Sequence, residues 1–571
     1  MDGASPQREN GEEQVQLISM EQAQLQTGDL PFIRESSQPH RRTWNNNNDD
    51  RTTNTKMAPT AAEVGKHTSR ESCWVIVHGR AYDVTEFLPE HPGGEKIILK
   101  YAGRDATAAF DPVHPPDTLD KYLDQSKHLG PVADMEAVAA AEKTRVRTPE
   151  EEAEAAEDAV VATARETMPA LDSCYNLLDF EAVARRVMKR GAWAYYSSAA
   201  DDEISLRENR AAFQRVWFRP RVLVDVARVD LSTTMLGSRV TAPFYVTATA
   251  LGRLGHPEGE TVLTRAAGRH GVVQMIPTLA SCSFDEIVDV ADTMASSGAS
   301  PPPQWLQLYV NRDRAITRRI IEHAERRGCR GLFITVDAPQ LGRREKDMRA
   351  KAAALGDGGS AVQQQEGEQT DTTQGAARAI SSFIDPSLCW DDLPWFRTVT
   401  RLPIVLKGVQ RAEDVIRAAE TGLVDGVVLS NHGGRQLDFA RSSLEVLAEV
   451  MPALRARGLE NRLEIYIDGG LRRATDILKA LCLGARGVGI GRPFLYAMSA
   501  YGVDGVSRAM ALLKDELEMD MRLLGAPAIR DLGPDLVDIR SLTSHPNGVP
   551  EDVLSRETYD PLTTPQSRSK L

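Results

Sequence analysis

Short apolar runs of strand length recur eight times in the chain beyond about residue 170. Amphipathic helical patterns separate most of them, among them Ala315–Arg327, Arg411–Thr421 and Ser443–Arg457. Apolar strands that alternate with amphipathic helices predict a parallel sheet covered by helices. Eight such units favour an α/β fold, a (β/α)8 barrel, over an open doubly wound sheet. The runs lie at approximately 243–249, 272–278, 304–310, 331–337, 403–409, 426–432, 464–470 and 487–491.

Composition divides the chain into four parts. We predict a disordered segment at 1–56, a compact domain at 57–132, an acidic linker at 133–170 and the barrel region at 171–571. The linker is rich in Ala and Glu without an apolar stripe, so it is expected to be solvated and partly helical. A polar insert at 346–378 follows the fourth run, and it is expected to be mobile and easily cut by proteases.

The overall composition is that of a soluble globular protein, with 42% hydrophobic and 26% charged residues. The net charge of −13 argues against a nucleic-acid-binding surface and gives no reason to expect binding to an anionic membrane. No apolar run approaches the ~18 residues of a membrane-spanning helix. The 6 cysteines are scattered, which is typical of free thiols in a reducing compartment.

The two ends of the sequence suggest different cellular addresses. Residues 1–56 contain too many acidic residues for a good mitochondrial presequence, and Met57 is an alternative start. The sequence ends in Ser569-Lys570-Leu571, a peroxisomal import tripeptide. We therefore expect a peroxisomal protein; the mitochondrial intermembrane space and the cytoplasm are the alternatives.

Candidate chemistry is concentrated where the sixth run ends, at Ser430-Asn431-His432-Gly433-Gly434-Arg435-Gln436. A histidine can accept a proton near neutral pH, and an arginine can hold a carboxylate through two parallel hydrogen bonds. Oxidation of a 2-hydroxy acid needs both groups. A polar turn after a buried strand is the alternative interpretation. However, seven of the eight predicted strand ends carry a polar side chain, which favours a large polar ligand at the barrel mouth.

Two histidines mark the compact domain as a candidate haem site. His91-Pro92-Gly93-Gly94 follows an apolar strand pattern at Trp74–Val77 and the sequence Tyr82-Asp83-Val84-Thr85, and His114 comes 23 residues after His91. The segment resembles cytochrome b5 domains, which are small and α+β. This resemblance implies that His91 and His114 ligate haem iron from both faces. Such an iron relays electrons but has no open position for oxygen.

The barrel region, from about 170 to 560, resembles the FMN-dependent 2-hydroxy-acid dehydrogenase and oxidase family. Besides the heptapeptide, the resemblance rests on the segments 194–198, 341–345 and 382–386. Together with the haem domain it resembles those family members that oxidise L-lactate and reduce cytochrome c. The family suggests a homotetramer and the L enantiomer of the substrate.

The resemblance implies roles for individual residues near the substrate. His432 would be the base at the hydroxyl-bearing carbon or its hydroxyl, and Asp337 would stabilise the imidazolium that forms. Arg435 and Tyr196 would bind the substrate carboxylate and Tyr309 the hydroxyl. Arg344 would add positive charge near the developing anion, and Lys407 would place a cation at the flavin N1/O2 edge. Ala250 and Leu279 would form the pocket for the substrate's alkyl group. Such a pocket favours lactate without excluding glycolate or 2-hydroxybutyrate.

The same resemblance implies an FMN site. The flavin ring would be held by Gln307, Thr335 and the backbone at Ala248, Thr249 and Ala250. The ribityl chain and phosphate would be held by Asp468, Gly470, Arg472, Gly491 and Arg492. Several alternatives stay open: Asp337 could cap a turn, Thr335 could belong to the barrel interior, and only one of Arg472 and Arg473 could reach the phosphate.

Two residues depart from the family pattern near this site. Pro277 stands where a serine often contacts the flavin, so one hydroxyl contact would be absent. Ala199 replaces a glycine after Tyr195-Tyr196-Ser197-Ser198 and could shift the loop that positions Tyr196.

The sequence therefore predicts oxidation of a short L-2-hydroxy acid by FMN, with electrons passed singly through haem b to an external acceptor such as cytochrome c. A peroxisomal oxidase that reduces O2 to hydrogen peroxide is the enzyme alternative, motivated by Ser569-Lys570-Leu571. A haem-binding or redox-sensing protein with an inactive barrel is a third possibility, and the presence of His432, Arg435, Lys407 and Asp337 argues against it.

Overall fold

The computed structural model describes residues 58–91, 94–354 and 383–545, all within one compact unit. Three sequence predictions therefore concern segments outside the described residues: the disordered segment at 1–56, most of the insert at 346–378, and the C-terminal Ser569-Lys570-Leu571. Within the described ranges, no helix combines the length and the apolar character that crossing a membrane requires.

The first domain is built on a four-stranded antiparallel sheet in the order β1-β2-β3-β4. His78 and Gly79 have φ values of +50° and +72°, the left-handed backbone that a two-residue hairpin turn requires, and this turn joins β2 to β3. Apolar side chains of β2 and β3 pack against the short helices of the domain. The elements are β1 (Thr68–Ser69), β2 (Ser72–Val77), β3 (Arg80–Asp83), β4 (His128–Pro131), α1 (Ala61–Val64), α2 (Glu95–Leu99), α3 (Thr107–Phe110) and α4 (Thr118–Tyr122).

The predicted linker forms two helices, α5 (Met135–Thr144) and α6 (Pro149–Glu166), neither of which buries a residue. Thr148 caps α6 through a capping box with Glu151, and Pro149 occupies the first turn, where its missing N–H costs nothing. Three further helices precede the barrel: α7 (Leu177–Val187), α8 (Arg190–Ser197) and α9 (Ile204–Gln214).

A closed barrel of eight parallel strands follows, which confirms the predicted fold. All eight apolar runs form its strands. These are β8 (Phe244–Val246), β9 (Val273–Ile276), β10 (Gln304–Leu308), β11 (Leu332–Thr335), β12 (Ile404–Val409), β13 (Gly426–Leu429), β14 (Glu464–Asp468) and β15 (Gly487–Ile490). Short strands outside the barrel pair as β5 (Trp217–Phe218) with β16 (Val537–Asp538) and β6 (Thr233–Met235) with β7 (Ser238–Val240).

Helices cover the outside of the barrel. In chain order, the helices of this region are α10 (Glu260–His270), α11 (Phe284–Ser296), α12 (Arg314–Arg326), α13 (Glu345–Ala354), α14 (Leu393–Val399), α15 (Ala412–Thr421), α16 (Ser443–Ala456), α17 (Ala474–Cys482) and α18 (Arg492–Leu524). Helix α18 is kinked at Tyr501 and Gly502, whose φ/ψ angles are not helical. The first nine residues of the predicted mobile insert belong to α13, which lies against α8.

The alternation of side chains along the strands separates the barrel interior from the helix layer. Leu406, Val427 and Ile465 pack outward, whereas Val405, Val428 and Tyr466 fill the interior. The same period of two directs one residue at or near the carboxyl end of each of four strands into the barrel. These residues are Gln307, Thr335, Lys407 and Asp468, with Ser430 continuing the pattern after β13.

Candidate functional site

His432 lies at the barrel mouth, held between an aspartate and a tyrosine. Its Nδ1 is 3.0 Å from Oδ1 of Asp337, and its Nε2 is 3.3 Å from the hydroxyl of Tyr309. Because Nδ1 is engaged by a carboxylate, it carries the proton, and Nε2 is left to accept one. His432 has a φ of +59°, so the turn after β13 uses a left-handed residue to aim the imidazole at the cavity.

The electrostatics of this pair favour an ionised aspartate. Burial works to raise the pKa of Asp337, but His432 and Lys407 outweigh it, so the pKa lies below its ordinary value. Asp337 therefore stays negative and can stabilise a protonated His432. Burial raises the pKa of Tyr309, which keeps its hydroxyl as a neutral hydrogen-bond donor.

Two arginines face the same space without a carboxylate partner among the described residues. Arg435 donates to the backbone carbonyls of Tyr195 and Ser198 at 2.8 and 2.7 Å. Arg344 is buried, its Nε has no hydrogen-bond partner within the described part of the chain, and burial together with Arg435 lowers its pKa to about 10. Buried cations are costly unless they are paired, so the two guanidinium groups form a site for an anionic ligand.

The tyrosine beside these arginines is Tyr195 rather than the predicted Tyr196. The Arg435 guanidinium carbon lies 5.2 Å from the centre of the Tyr195 ring. The Tyr196 hydroxyl instead donates to the carbonyl of Leu251 at 2.6 Å, away from Arg435. The physical reason is helical geometry: consecutive residues of α8 point about 100° apart, so only one of the two can face the arginines.

Lys407 and Asp468 form a buried ion pair at the ends of β12 and β14. The Lys407 Nζ is 3.1 Å from Oδ2 of Asp468, and both side chains are almost fully buried. Burial works to lower the pKa of Lys407, but Asp468 and Asp337 outweigh it, so the pKa lies above its ordinary value. Lys407 is therefore a permanent cation on the inner wall of the barrel mouth.

A cavity of about 720 Å³ opens beside these groups, within the ordinary size of a cofactor and substrate site. Its floor includes Gln307, whose Nε2 donates to the Thr335 hydroxyl at 2.9 Å, so Thr335 is both a barrel-interior residue and part of the lining. Every predicted site residue of the barrel except Asp337 lines this cavity. The predicted residues it brings together are Tyr196, Ala248, Thr249, Ala250, Leu279, Gln307, Tyr309, Thr335, Arg344, Lys407, His432, Arg435, Asp468, Gly470, Arg472, Gly491 and Arg492.

One end of the cavity suits a phosphate. Gly491 precedes the first turn of α18, where backbone N–H groups and the helix dipole favour an anion, and Arg492 and Arg472 line the wall. Arg472 forms an ion pair with Glu181 of α7 inside the cavity. Arg473 pairs with Glu516 at 3.0 Å, half exposed, so of the two arginines Arg472 is the one that faces the cavity.

The departures from the family pattern change little in this geometry. Pro277 lines the cavity and offers no hydroxyl. Ala199 is not among the residues with a positive φ, so its backbone does not require glycine. The loop holding it is fixed by the bond from the Ala200 N–H to the Gly434 carbonyl at 2.8 Å.

His91 and His114 lie close together in the first domain, with ring centres 6.1 Å apart. Rings this close could hold one iron between them, as bis-histidine haem ligation requires. The Nδ1 atoms are already engaged by the carbonyls of Gly94 (3.1 Å) and Phe110 (3.2 Å), which leaves both Nε2 atoms for a metal. Burial lowers the pKa of His91, and it lowers that of His114 to about 4, so both rings are neutral, as metal ligation requires. The residues present fit a bis-histidine haem.

The model of the FMN-dependent dehydrogenases matches residues 184–539, more than half of the chain. The chain belongs to this family. Residues 60–133 match the cytochrome b5-like haem/steroid-binding domain. These two matches confirm the predicted family resemblance and the two predicted cofactors, FMN and haem.

Relatives with both parts are found among yeasts. The L-lactate dehydrogenase (cytochrome) of Wickerhamomyces anomalus is 53% identical, over 88% of this chain and 84% of its own length. The enzyme of the same name from Saccharomyces cerevisiae is 51% identical, over 88% and 83%. Among solved structures, the flavin-binding domain of baker's yeast flavocytochrome b2 is 52% identical with a TM-score of 0.62, covering 71% of this chain and 97% of that one.

Four further residues belong to the site, although the sequence predictions gave none of them a role of its own: Tyr195, Ser430, Asn431 and Gln436. Asn431 and Asn209 of α9 exchange two hydrogen bonds of 2.8 Å, which ties the heptapeptide to that helix. Gln436 donates to the carbonyls of Asp337 and Gln340 at 2.8 Å, which fixes the loop that carries Asp337. Asn431 and Gln436 stand beside His432 and Arg435 in the sequence, but their partners lie over 90 residues away, and a single sequence does not show them.

Proposed function

We propose that the protein is an FMN-dependent L-lactate dehydrogenase that passes electrons through haem b to an external acceptor. The observation that carries the proposal is the position of His432. It lies between Asp337 and Tyr309 and beside two arginines that lack a carboxylate partner among the described residues. A base, a hydroxyl-binding group and a carboxylate site converge there, as oxidation of a 2-hydroxy acid requires.

In the proposed mechanism, Arg435 and Tyr195 hold the substrate carboxylate and Arg344 adds positive charge where negative charge develops. The Tyr309 hydroxyl donates to the substrate's oxygen. His432 Nε2 accepts the proton, and Asp337 stabilises the imidazolium through Nδ1. FMN, when bound, supplies the two-electron oxidant. His432 serves equally if the proton comes from the carbon or from the hydroxyl.

The cofactor residues follow from the lining of the cavity. We propose that Gln307, Thr335 and Ala248–Ala250 hold the flavin ring, with Lys407 at its N1/O2 edge. Asp468 and Gly470 would hold the ribityl chain, and Arg472, Gly491 and Arg492 the phosphate. His91 and His114 would ligate the haem iron within a domain at 57–132, joined by the linker at 133–170 to the barrel region at 171–571.

A short substrate is supported by two side chains of the cavity wall. Ala250 and Leu279 are small and aliphatic, and neither offers a polar group to a larger substituent. One methylene in such a pocket changes the binding free energy by only about 1–3 kcal/mol. We therefore expect L-lactate to be preferred over glycolate and 2-hydroxybutyrate by a modest factor.

For the acceptor we propose cytochrome c. The two yeast relatives whose names include "cytochrome" match across both domains, over 88% of this chain. Relatives named peroxisomal (S)-2-hydroxyacid oxidase, from Arabidopsis thaliana, are 38% identical over 63% of the chain. Oxygen as acceptor remains the alternative, and a homotetramer is proposed from the family alone. The two yeast relatives do not support the predicted peroxisomal location, so we propose one of its alternatives, the mitochondrial intermembrane space or the cytoplasm.

Steady-state assays test the proposal directly. Purified protein should reduce cytochrome c with L-lactate, more slowly with glycolate, and not with D-lactate, because the base and the carboxylate site fix one face of the substrate. Hydrogen peroxide should form only at a small fraction of that rate. Peroxide formation at the full rate would favour the oxidase, and no turnover with any 2-hydroxy acid would refute the proposal. Fluorescent fusions with and without the last three residues would determine the compartment.

A further inference from the structure

Ser430 is a buried serine between the base and the cation of the barrel mouth, with 1% of its surface exposed. We propose that Ser430 is a positioning residue, whose hydroxyl fixes His432 and at the same time sets how strongly Lys407 is neutralised by Asp468. This inference rests on the proposed function of the same site.

Three hydrogen-bonding groups surround the Ser430 hydroxyl. Its oxygen lies 2.5 Å from Oδ1 of Asp468, 2.9 Å from the backbone nitrogen of His432 and 3.5 Å from Nζ of Lys407. An ionised carboxylate only accepts, and an N–H and an ammonium only donate. The single hydroxyl proton therefore goes to Asp468, and the two lone pairs accept from His432 and Lys407. The Ser430 hydroxyl therefore makes all three hydrogen bonds that a hydroxyl can make.

The bond to His432 supports an unusual backbone. Side chains other than glycine rarely adopt a positive φ, and His432 has a φ of +59°. Its N–H is held by Ser430 two residues earlier, a local turn that serine hydroxyls form. The imidazole is held at Nδ1 by Asp337, and its Nε2 meets the Tyr309 hydroxyl. Without the Ser430 oxygen, the backbone at the base would lose the bond that maintains its direction.

The bond to Asp468 concerns the flavin side of the site. One carboxylate oxygen, Oδ2, faces Lys407 at 3.1 Å, and the other, Oδ1, accepts from Ser430. A donor on Oδ1 draws negative charge away from Lys407, so the lysine keeps more of its positive charge for a neighbouring anion. Loss of that donor would make Asp468 a stronger partner of Lys407, and an anionic reduced flavin beside Lys407 would be stabilised less.

Two variants and one control test the proposal. Ser430→Ala removes the hydroxyl, and Ser430→Thr keeps it while adding a methyl group. Ser499→Ala is the matched control, because Ser499 is also fully buried but donates only within its own helix, to Leu495. The measurements are the rate of lactate-dependent flavin reduction, the KM for L-lactate, and the midpoint potential of the bound flavin.

We expect Ser430→Ala to reduce flavin about 10- to 100-fold more slowly, the size of effect that a misplaced catalytic group produces. The KM should stay within about threefold, because Arg435 is anchored by the 195–198 backbone instead. The midpoint potential should become more negative, a change that mere loosening of the fold does not predict. Ser430→Thr should recover most of the rate and potential, and Ser499→Ala should match the wild type in both.

The proposal is overturned if Ser430→Ala keeps the wild-type rate and potential, or if Ser430→Thr is no better than Ser430→Ala. Should Ser430→Ala fail to fold or to retain FMN, Ser430→Cys replaces it, since a thiol has a similar size but hydrogen-bonds weakly. Equal rates and potentials for the Cys and Thr variants would then refute the proposal. A wild-type protein that does not oxidise lactate would refute the proposed function instead, and the flavin potentials would still test Ser430.

Discussion

Proton transfer and charge binding are assigned to different side chains around one turn. His432 accepts the proton, Asp337 holds its other nitrogen at 3.0 Å, and Arg435 binds charge from three residues further on. Asp337 remains ionised because His432 and Lys407 lower its pKa against the effect of burial. Each role can therefore be removed separately.

Replacement of His432 tests the base. His432→Gln should lower the rate of flavin reduction by L-lactate about 10²- to 10⁴-fold, the usual contribution of a general base. FMN should stay bound, because the flavin-holding residues are untouched, and rapid mixing with lactate would measure the rate. His270→Gln is the control: His270 bonds Ser507 on the outside of the barrel. An unaffected rate in His432→Gln would exclude His432 as the base.

Replacement of Arg435 tests the carboxylate site. Arg435→Lys keeps the charge but loses the paired N–H groups that match a carboxylate, so the KM for L-lactate should rise about tenfold or more. Reduction of flavin at saturating lactate should fall less than in His432→Gln. Steady-state titration gives both values. A KM unchanged by Arg435→Lys would contradict the proposed contact.

The roles of single residues were predictable from the sequence where the position in a strand decides which way the side chain points. Lys407, Asp468 and Gln307 follow the period of two along their strands, which points them into the barrel. The choice between Tyr195 and Tyr196 depends on the rotation of α8 about its axis, which neither residue type determines. The choice between Arg472 and Arg473 likewise depends on Glu181 and Glu516, which lie on distant helices.

At the scale of elements, charged side chains join the haem domain to the linker helices α5 and α6. Arg104 of the haem domain binds Glu142 at 2.6 Å and Glu151 at 3.0 Å, and Arg145 binds Glu151 at 2.6 Å. Burial works to raise the pKa of Glu151, but Arg145 and Arg104 outweigh it and lower it to about 2. Such a network restrains the linker more than an isolated surface pair does.

Removal of the Arg104 side chain should therefore slow electron transfer from the flavin to the haem without changing the oxidation of lactate. We expect Arg104→Gln to leave flavin reduction by lactate unchanged and to slow the following haem reduction several-fold, because the haem domain is less well held. Rapid-mixing traces of both chromophores give the two rates. Arg70→Gln is the control, since Arg70 pairs with Glu95 at 3.1 Å on the same domain without contacting the linker. Equal haem reduction in both variants would contradict this role of α6.

Helix α18 carries an aspartate that should destabilise the protein near neutral pH. Burial and the nearby Glu516 raise the pKa of Asp520 to about 6. The unfolded chain ionises this group near pH ~4, so stability falls as pH rises from about 4 to about 6 and stays lower above that. Asp520→Asn should raise the melting temperature at pH ~7.5 by on the order of 1–3 °C, and little at pH ~4. Asp515→Asn, on an exposed position of the same helix, is the control, and an equal rise at both pH values would contradict the assignment.

The elements themselves were predicted well because each barrel strand is buried on both faces and therefore forms an uninterrupted apolar run. The linker helices were predicted less completely. Ala164 and Met168, at and just beyond the end of α6, pack against Val183 and Ala500 of the barrel region, although α6 shows no apolar stripe. Two contacting residues at one end of a helix are too few to produce a periodic apolar pattern in the sequence.

For the whole molecule, the two matched domains imply a fixed order of electron flow. The barrel residues would support the two-electron chemistry of FMN. A haem iron held by His91 and His114 would carry one electron at a time, because iron cycles between Fe(II) and Fe(III), and with both histidines bound it would offer no open position to oxygen. The family and fold were predictable from the sequence. The assembly and the electron acceptor were not, because they depend on surfaces that meet other molecules.

Rapid mixing of the anaerobic protein with L-lactate tests this account most directly, for the wild type and for His91→Ala. We predict that the wild type bleaches its flavin first and reduces its haem afterwards, and that added cytochrome c then turns over. The His91→Ala variant should bleach its flavin at the wild-type rate but lose nearly all cytochrome c reduction. A flavin that lactate does not bleach, or cytochrome c reduction that is unchanged by His91→Ala, would contradict the account.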